Sequence, residues 1–241
     1  MVYGETGMLP VEYHIKCRMI KFWVSLITGK QTKYSCIIYK MCLSLYMGGL
    51  LECHWMDCIK QIINDCGMTF VFNEQLSLDK KWLTKVFLSQ IKQTLKDQTL
   101  QKWASKLSDP NNEITYFYYK EFCSNYSLKK YLSILPTELW IPLCKFRTRN
   151  HRLPVEFYSW NKFQKPHHER ICNICNLNDI GDEYHYIMKC PVFNELRDLY
   201  ISPYFKNRPS VYKFIALMKT EKENTLIKLA KFTRDILNVI Q

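Results

Sequence analysis

Between residues 172 and 190 the chain reads Cys-x2-Cys-x9-His-x4-Cys, and no other feature limits its folding as sharply. Cys172, Cys175, His185 and Cys190 are four soft or borderline donors, the number a tetrahedral zinc ion takes at about 2.0–2.3 Å. Two residues between the first pair of cysteines let the backbone curl until both thiolates reach one ion. Gly181-Asp182 offers a turn on the return path, and Asp182 can cap a short helical piece carrying His185. On a continuous helix His185 and Cys190 would stand about 140° apart, so one ion holds both only if the helix breaks near Cys190. Cys190-Pro191 supplies that break and a start for the next helix. Asp182 and Glu183 read as turn and supporting groups, and His167 and His168 are not needed as ligands. Four protein ligands close the site, which points to a structural Zn2+ rather than a catalytic one with a place for water. The H-x-E plus P-C-x-x-C pattern of zinc deaminases is absent.

The chain holds eleven cysteines, an odd number. Residues 1–10 carry Glu5 and Gly7 and no apolar stretch of the signal-peptide kind, so a secreted disulfide framework is not expected. The remaining cysteines read as small buried apolar groups in a reducing, intracellular compartment. Tyr34 to Leu51 is the most lipid-like stretch, but Lys40 interrupts it and Gly48-Gly49 punctuates it, so it reads as a buried core helix and not a membrane span. With only seven glycines and no G-x-x-x-x-G-K, H-E-x-x-H or G-x-S-x-G, the common phosphate-cradling, metalloprotease and serine-hydrolase classes find no support.

Apolar residues recur at helical spacing over most of the rest. Val11 to Thr28 forms one such stripe and stops at Gly29; Trp55 to Cys66 forms another, closed by Gly67 in the position a left-handed cap wants. Asp79 to Leu107 is the longest, with its lysines read as an ordinary polar face, and Asp109-Pro110-Asn111-Asn112 is a loop after it. Thr115 to Phe122 fits strand or helix. Pro136 opens a helix bearing Leu139, Trp140, Leu143 and Phe146, and three amphipathic pieces follow Cys190. The expected fold is mainly α: an irregular helical region over residues 1–144, a basic connector and small Cys3His zinc-binding insert over 145–200, and C-terminal helices over 201–241.

The connector, Lys145 to Arg170, holds seven Lys/Arg against Glu156 and Glu169, a net +5 within a chain of net +12. Asn150 to Lys165 has poor periodicity and reads as extended. Phe146, His151, Phe157, Tyr158, Trp160 and Phe163 interleave with the cations. Cations for phosphates and rings for unpaired bases make a single-stranded nucleic-acid surface, of which Lys145, Arg147, Arg149, His151, Arg152 and Arg170 are the candidate contacts. The competing reading is a solvated basic loop whose rings pack on neighbouring helices.

The run from Lys145-Phe146-Arg147-Thr148-Arg149-Asn150-His151-Arg152 through Arg170-Ile171-Cys172-Asn173-Ile174-Cys175, Ile180-Gly181-Asp182-Glu183-Tyr184-His185 and Cys190-Pro191-Val192-Phe193 to Arg197 resembles the C-terminal tail of reverse transcriptases from animal non-LTR retrotransposons, which ends in a Cys-Cys-His-Cys zinc knuckle. Tyr3-Gly4-Glu5-Thr6-Gly7 at the start is similar to the segment that follows the polymerase core in that family, although Met8 stands where a basic residue is common. The resemblance implies Cys172, Cys175, His185 and Cys190 as zinc ligands, element RNA and target DNA as partners of the basic stretch, the polymerase core of the parent element as a further partner, and a nuclear location. Neither a membrane nor a small-molecule substrate is implied. Polymerisation needs carboxylates for two Mg2+ ions, adjacent aspartates in such enzymes, and no Asp-Asp pair occurs here. A non-catalytic tail is therefore expected; a zinc-stapled helical protein-interaction module and an inert mobile-element remnant are the alternatives.

Overall fold

The computed structural model describes every residue except 31, 110–112, 161, 163 and 241, and no side chains for 113–117 and 160. The described chain is helical, and within it no β-strand occurs, only two isolated antiparallel bridges, Thr6 to Leu128 and Ile171 to Ile180. It forms two compact units, one of residues 1–8 with 106–241 and one of residues 9–105. The boundaries expected after residues 144 and 200 both lie inside the first of these units. Among the described residues no helix is long and apolar enough to cross a membrane.

The first unit begins with α1 (Val2–Thr6), ended by Gly7 at φ 66°. The chain then enters the second unit through α2 (Val11–Thr28), α3 (Tyr34–Met47), α4 (His54–Asp65), α5 (Thr69–Asn73), α6 (Lys80–Trp82) and α7 (Leu88–Ser108). Leu83, Phe87, Ile91 and Leu95 are the buried stripe leading into and along α7. Spacing of four residues overshoots a 3.6-residue turn by about 40° per step, and a wider π turn over Leu83–Phe87 takes up part of the drift. At the centre of this unit Trp23 stacks on Phe72, and its ring N–H donates to Tyr39 Oη at 2.7 Å. The Tyr39 hydroxyl donates to Gln75, which donates to the Phe72 carbonyl, so the buried polar groups of this chain of contacts are paired. The expectation that α3 is a buried core helix fails: Cys36, Tyr39 and Leu43 are buried, whereas Tyr34, Ile37, Ile38, Met41 and Leu45 face outward.

The chain returns to the first unit through α8 (Glu113–Phe122), α9 (Lys130–Ile134), α10 (Thr137–Arg147), α11 (Pro154–Trp160), α12 (Asn194–Tyr200), α13 (Pro203–Lys206), α14 (Val211–Met218) and α15 (Glu223–Ile240). Thr115 to Phe122 is thus helix. The connector is not extended throughout, because Pro154 takes the first position of α11, where its missing N–H costs nothing. The loop expected at Asp109-Pro110-Asn111-Asn112 lies mostly outside the described residues. Leu226, Leu229, Ala230, Thr233, Ile236 and Leu237 give α15 one buried face, and α10 packs along it. All eleven cysteines are free; Cys36, Cys123, Cys172 and Cys190 are buried and the others half-buried.

Candidate metal centre

Ile171 and Ile180 pair across a narrow hairpin, with Cys172 N–H donating to the Asp179 carbonyl at 2.9 Å and Gly181 N–H to the Arg170 carbonyl at 2.8 Å. Gly181 is required by space: a Cβ there would lie 2.8 Å from Pro154 Cγ and 3.1 Å from Cys172 Cα. Asp182 then caps the next turn, its Oδ1 accepting from His185 N–H at 2.7 Å. His185–Lys189 is a π turn in which Cys190 N–H donates to the His185 carbonyl at 2.7 Å. That five-residue hydrogen bond sets Cys190 one turn beneath His185 and removes the 140° offset an α-helix would impose. Cys190 itself is extended, and Pro191–Phe193 starts a 3-10 turn after it.

The donor atoms of Cys172, Cys175, His185 and Cys190 all lie within 4.8 Å of one another, with Cys175 Sγ 3.3 Å from His185 Nε2. A tetrahedron with bonds of about 2.0–2.3 Å has edges of about 3.3–3.8 Å, so the four donors need close in by roughly 1 Å at most. Cys172, His185 and Cys190 are buried and Cys175 half-buried. Burial, with the Cys172 and Cys175 sulfurs alongside, pushes the Cys190 thiol up to about 12, and burial pulls the His185 imidazolium down. A cation between them offsets that mutual repulsion of thiolates. The other imidazole nitrogen, Nδ1, is buried and faces Asp179 Oδ2 at 3.6 Å, the placing of a carboxylate that orients a ligating histidine. Lys189 Nζ holds the same carboxylate at 3.1 Å.

A group missed by sequence reasoning is Arg197, buried on α12. Its guanidinium donates to the carbonyls of Ile187 at 2.8 Å, Cys190 at 2.9 Å and Tyr186 at 3.4 Å, and to Asn194 Oδ1 at 2.7 Å. The Cys190 carbonyl also accepts from Phe193 N–H at 3.2 Å, and Arg197 gathers all three carbonyls at the end of the π turn. Arg197 ends the run that carries the resemblance, but nothing in its spacing assigns it this role.

The structure divides the candidate nucleic-acid contacts. Arg147, Arg149 and His151 are 5%, 6% and 8% exposed, which removes them from a solvent-facing surface. Arg147 Nε donates to Glu5 Oε2 at 2.8 Å and its Nη2 to Oε1 at 3.1 Å, while Nη1 reaches the Met218 carbonyl. Arg149 Nε lies 3.2 Å from Glu183 and 3.3 Å from Glu156. His151 Nε2 is 2.8 Å from the same Glu183 oxygen. Burial alone would raise Glu183; Arg149 beside it and the His151 hydrogen bond hold it below the usual carboxylate range. Arg149 adopts φ 54°, a left-handed turn that ordinarily calls for glycine, and the two carboxylates hold it there. Arg152 is exposed and Lys145 half-buried. Arg170 is half-buried, donating to the Val155 and Lys165 carbonyls. Among the rings, Phe146 is buried, Phe157 is exposed, and Tyr158 lies under Lys165 at 4.6 Å. The side chains of Trp160 and Phe163 lie outside the described residues. His167 and His168 stand apart from the four-donor group. No family model, curated protein or solved structure matches the chain.

Proposed function

We propose that the chain binds one structural zinc ion and serves as the non-catalytic, nucleic-acid-binding C-terminal portion of a reverse transcriptase of the non-LTR retrotransposon type. The convergence of three sulfurs and one imidazole nitrogen carries this reading. A thiolate-rich donor set of tetrahedral size favours zinc over the harder ions, and four protein ligands leave no coordination position for a reacting water. The ion staples the 171–180 hairpin to the turn that begins at His185, and Glu183, two residues before that histidine, ties the same module to Arg149 and His151 of the connector. In this reading the module holds a basic face, now composed of Arg152, Lys162 and Lys165 with Lys145 and Arg170 partly exposed, against element RNA or target DNA. The polymerase core of the parent element supplies the chemistry, in the nucleus.

Zinc content and nucleic-acid affinity test the two halves separately. Purified chain contains about one zinc per molecule, and Cys190→Ser loses it and loosens the 171–193 region, because metal affinity here is folding energy. Single-stranded RNA binds at low salt with a steep salt dependence. Absence of zinc sinks the first half, and absence of any binding at low salt sinks the second. The burial of Arg147, Arg149 and His151 in ion pairs favours a second reading, a zinc-stapled protein-interaction module. Unchanged RNA affinity after Arg152, Lys162 and Lys165 are together replaced by Gln would support it.

A further inference from the structure

In the unit of residues 9–105 a cleft of about 380 Å³ lies between α2 and α7, walled by Tyr13 on one side and by Lys85, Ser89, Lys92, Gln93 and Lys96 on the other. The lysines are exposed, and among the described residues none of the three is in an ion pair, whereas Lys16, Lys189 and Lys206 each hold a carboxylate. No carboxylate lines the cleft among the described residues. Of the acids next to it, Glu12 pairs with Lys16 at 2.7 Å, while Asp97 accepts from the neutral Gln93 Nε2 at 2.8 Å and keeps its charge. Three unpaired ammonium groups on one wall, against the single charge of Asp97, leave positive potential in excess where a hydroxyl, an amide and a phenol ring also converge.

We infer that this cleft is a binding track for single-stranded nucleic acid, with Lys85, Lys92 and Lys96 on successive phosphates and Tyr13 as the aromatic group beside the bases. The inference rests on the nucleic-acid reading above and moves the contact to a part of the chain outside the zinc module. Spacings of seven and four residues set the ammonium groups about 10 and 6 Å apart along the helix axis, a repeat that a flexible strand can match. The volume is at the lower end of the range that holds small ligands, about 300–1,000 Å³.

The test is fluorescence anisotropy of the full zinc-loaded chain with a labelled oligouridylate of about 15 nucleotides, titrated across salt. The triple variant K85Q/K92Q/K96Q is compared with K21Q/K60Q/K102Q, which removes equal charge from exposed positions outside the cleft. Gln keeps helix propensity, and circular dichroism checks that both variants are folded. Three lost phosphate contacts flatten the salt slope by about 2, so between 50 and 200 mM salt the wild type loses roughly 15- to 20-fold more affinity than the cleft variant. The control variant keeps the wild-type slope, and Tyr13→Leu weakens binding about fivefold or more. Equal slopes for the two triple variants overturn the cleft and leave nucleic-acid binding standing. Preference for duplex over single strand also overturns it. Wild type that binds no oligonucleotide at low salt overturns the broader reading together with the cleft.

Discussion

Glu5→Gln offers a test of how the first unit is held together. Glu5 and Arg147 are 142 residues apart in sequence, yet their side chains are 1% and 6% exposed and share two hydrogen bonds. Tyr131 donates to Glu5 Oε2 at 2.6 Å, and the guanidinium lies over the rings of Phe122 at 4.8 Å and Tyr131 at 5.3 Å. A pair at the surface would be worth about 0–1 kcal/mol. At this burial the loss of one partner strands a charge, and the cost rises to about 3–5 kcal/mol. Glu5→Gln keeps shape and an acceptor for Tyr131 but removes the countercharge, so the same range applies to it. Peptides from α10 then exchange amide hydrogens roughly 10²- to 10⁴-fold faster than in the wild type, read by mass spectrometry under conditions where local opening is at equilibrium. The double variant E5L/R147M recovers part of the protection, since no charge is then stranded, although the Tyr131 hydroxyl and the Met218 carbonyl lose their partners. Exchange in α10 within about fivefold of wild type for Glu5→Gln would show that water reaches the pair and would refute the reasoning.

Three further outcomes bear on the metal centre. Asp179→Ala removes the carboxylate facing His185 Nδ1 and lowers zinc affinity about 10- to 100-fold in chelator competition, with the fold retained. Arg197→Met removes the guanidinium donor from the Tyr186 and Ile187 carbonyls and leaves the Cys190 carbonyl to Phe193 N–H alone, costing about 1–3 kcal/mol and speeding zinc loss to excess chelator. Gly181→Ala forces a methyl against Pro154 and the backbone of Cys172, and lowers the Tm of the zinc-loaded chain by about 2–12 °C in calorimetry. An unchanged Tm there would mean that the hairpin shifts freely, which the packed geometry denies.

The four-donor group is legible in the sequence because the features that bring its ligands together are mostly local: ligand spacing, a capping aspartate and a breaking proline all act between residues 172 and 191. The longer helices are legible because several turns display a period. α11 is hidden, since its seven residues make barely two turns behind a proline and amid scattered aromatics. α3 misleads because its uniform apolarity gives no contrast between its buried face and the face left outward. The π turn at His185 is visible only as a requirement, a conflict between one ion and an offset of about 140° that some departure from the α-helix has to resolve.

Charge is the least legible property, and the reason is geometric. A window from residue 145 to 170 counts seven cations and two acids, but the carboxylates that neutralise Arg147 and help neutralise Arg149 are Glu5 and Glu183, both outside the window. Net charge per segment therefore overstates what that segment presents to solvent. The opposite error arises on α7, where lysines spread along a helix look like an ordinary polar face because no local excess marks them. Their distinguishing feature is the lack of acids across a cleft from Tyr13, far earlier in the chain, which only tertiary structure brings beside them. A phosphate backbone responds to cations that are exposed and uncompensated, not to cations that are merely consecutive. On that criterion Lys85, Lys92 and Lys96 outrank Arg147, Arg149 and His151.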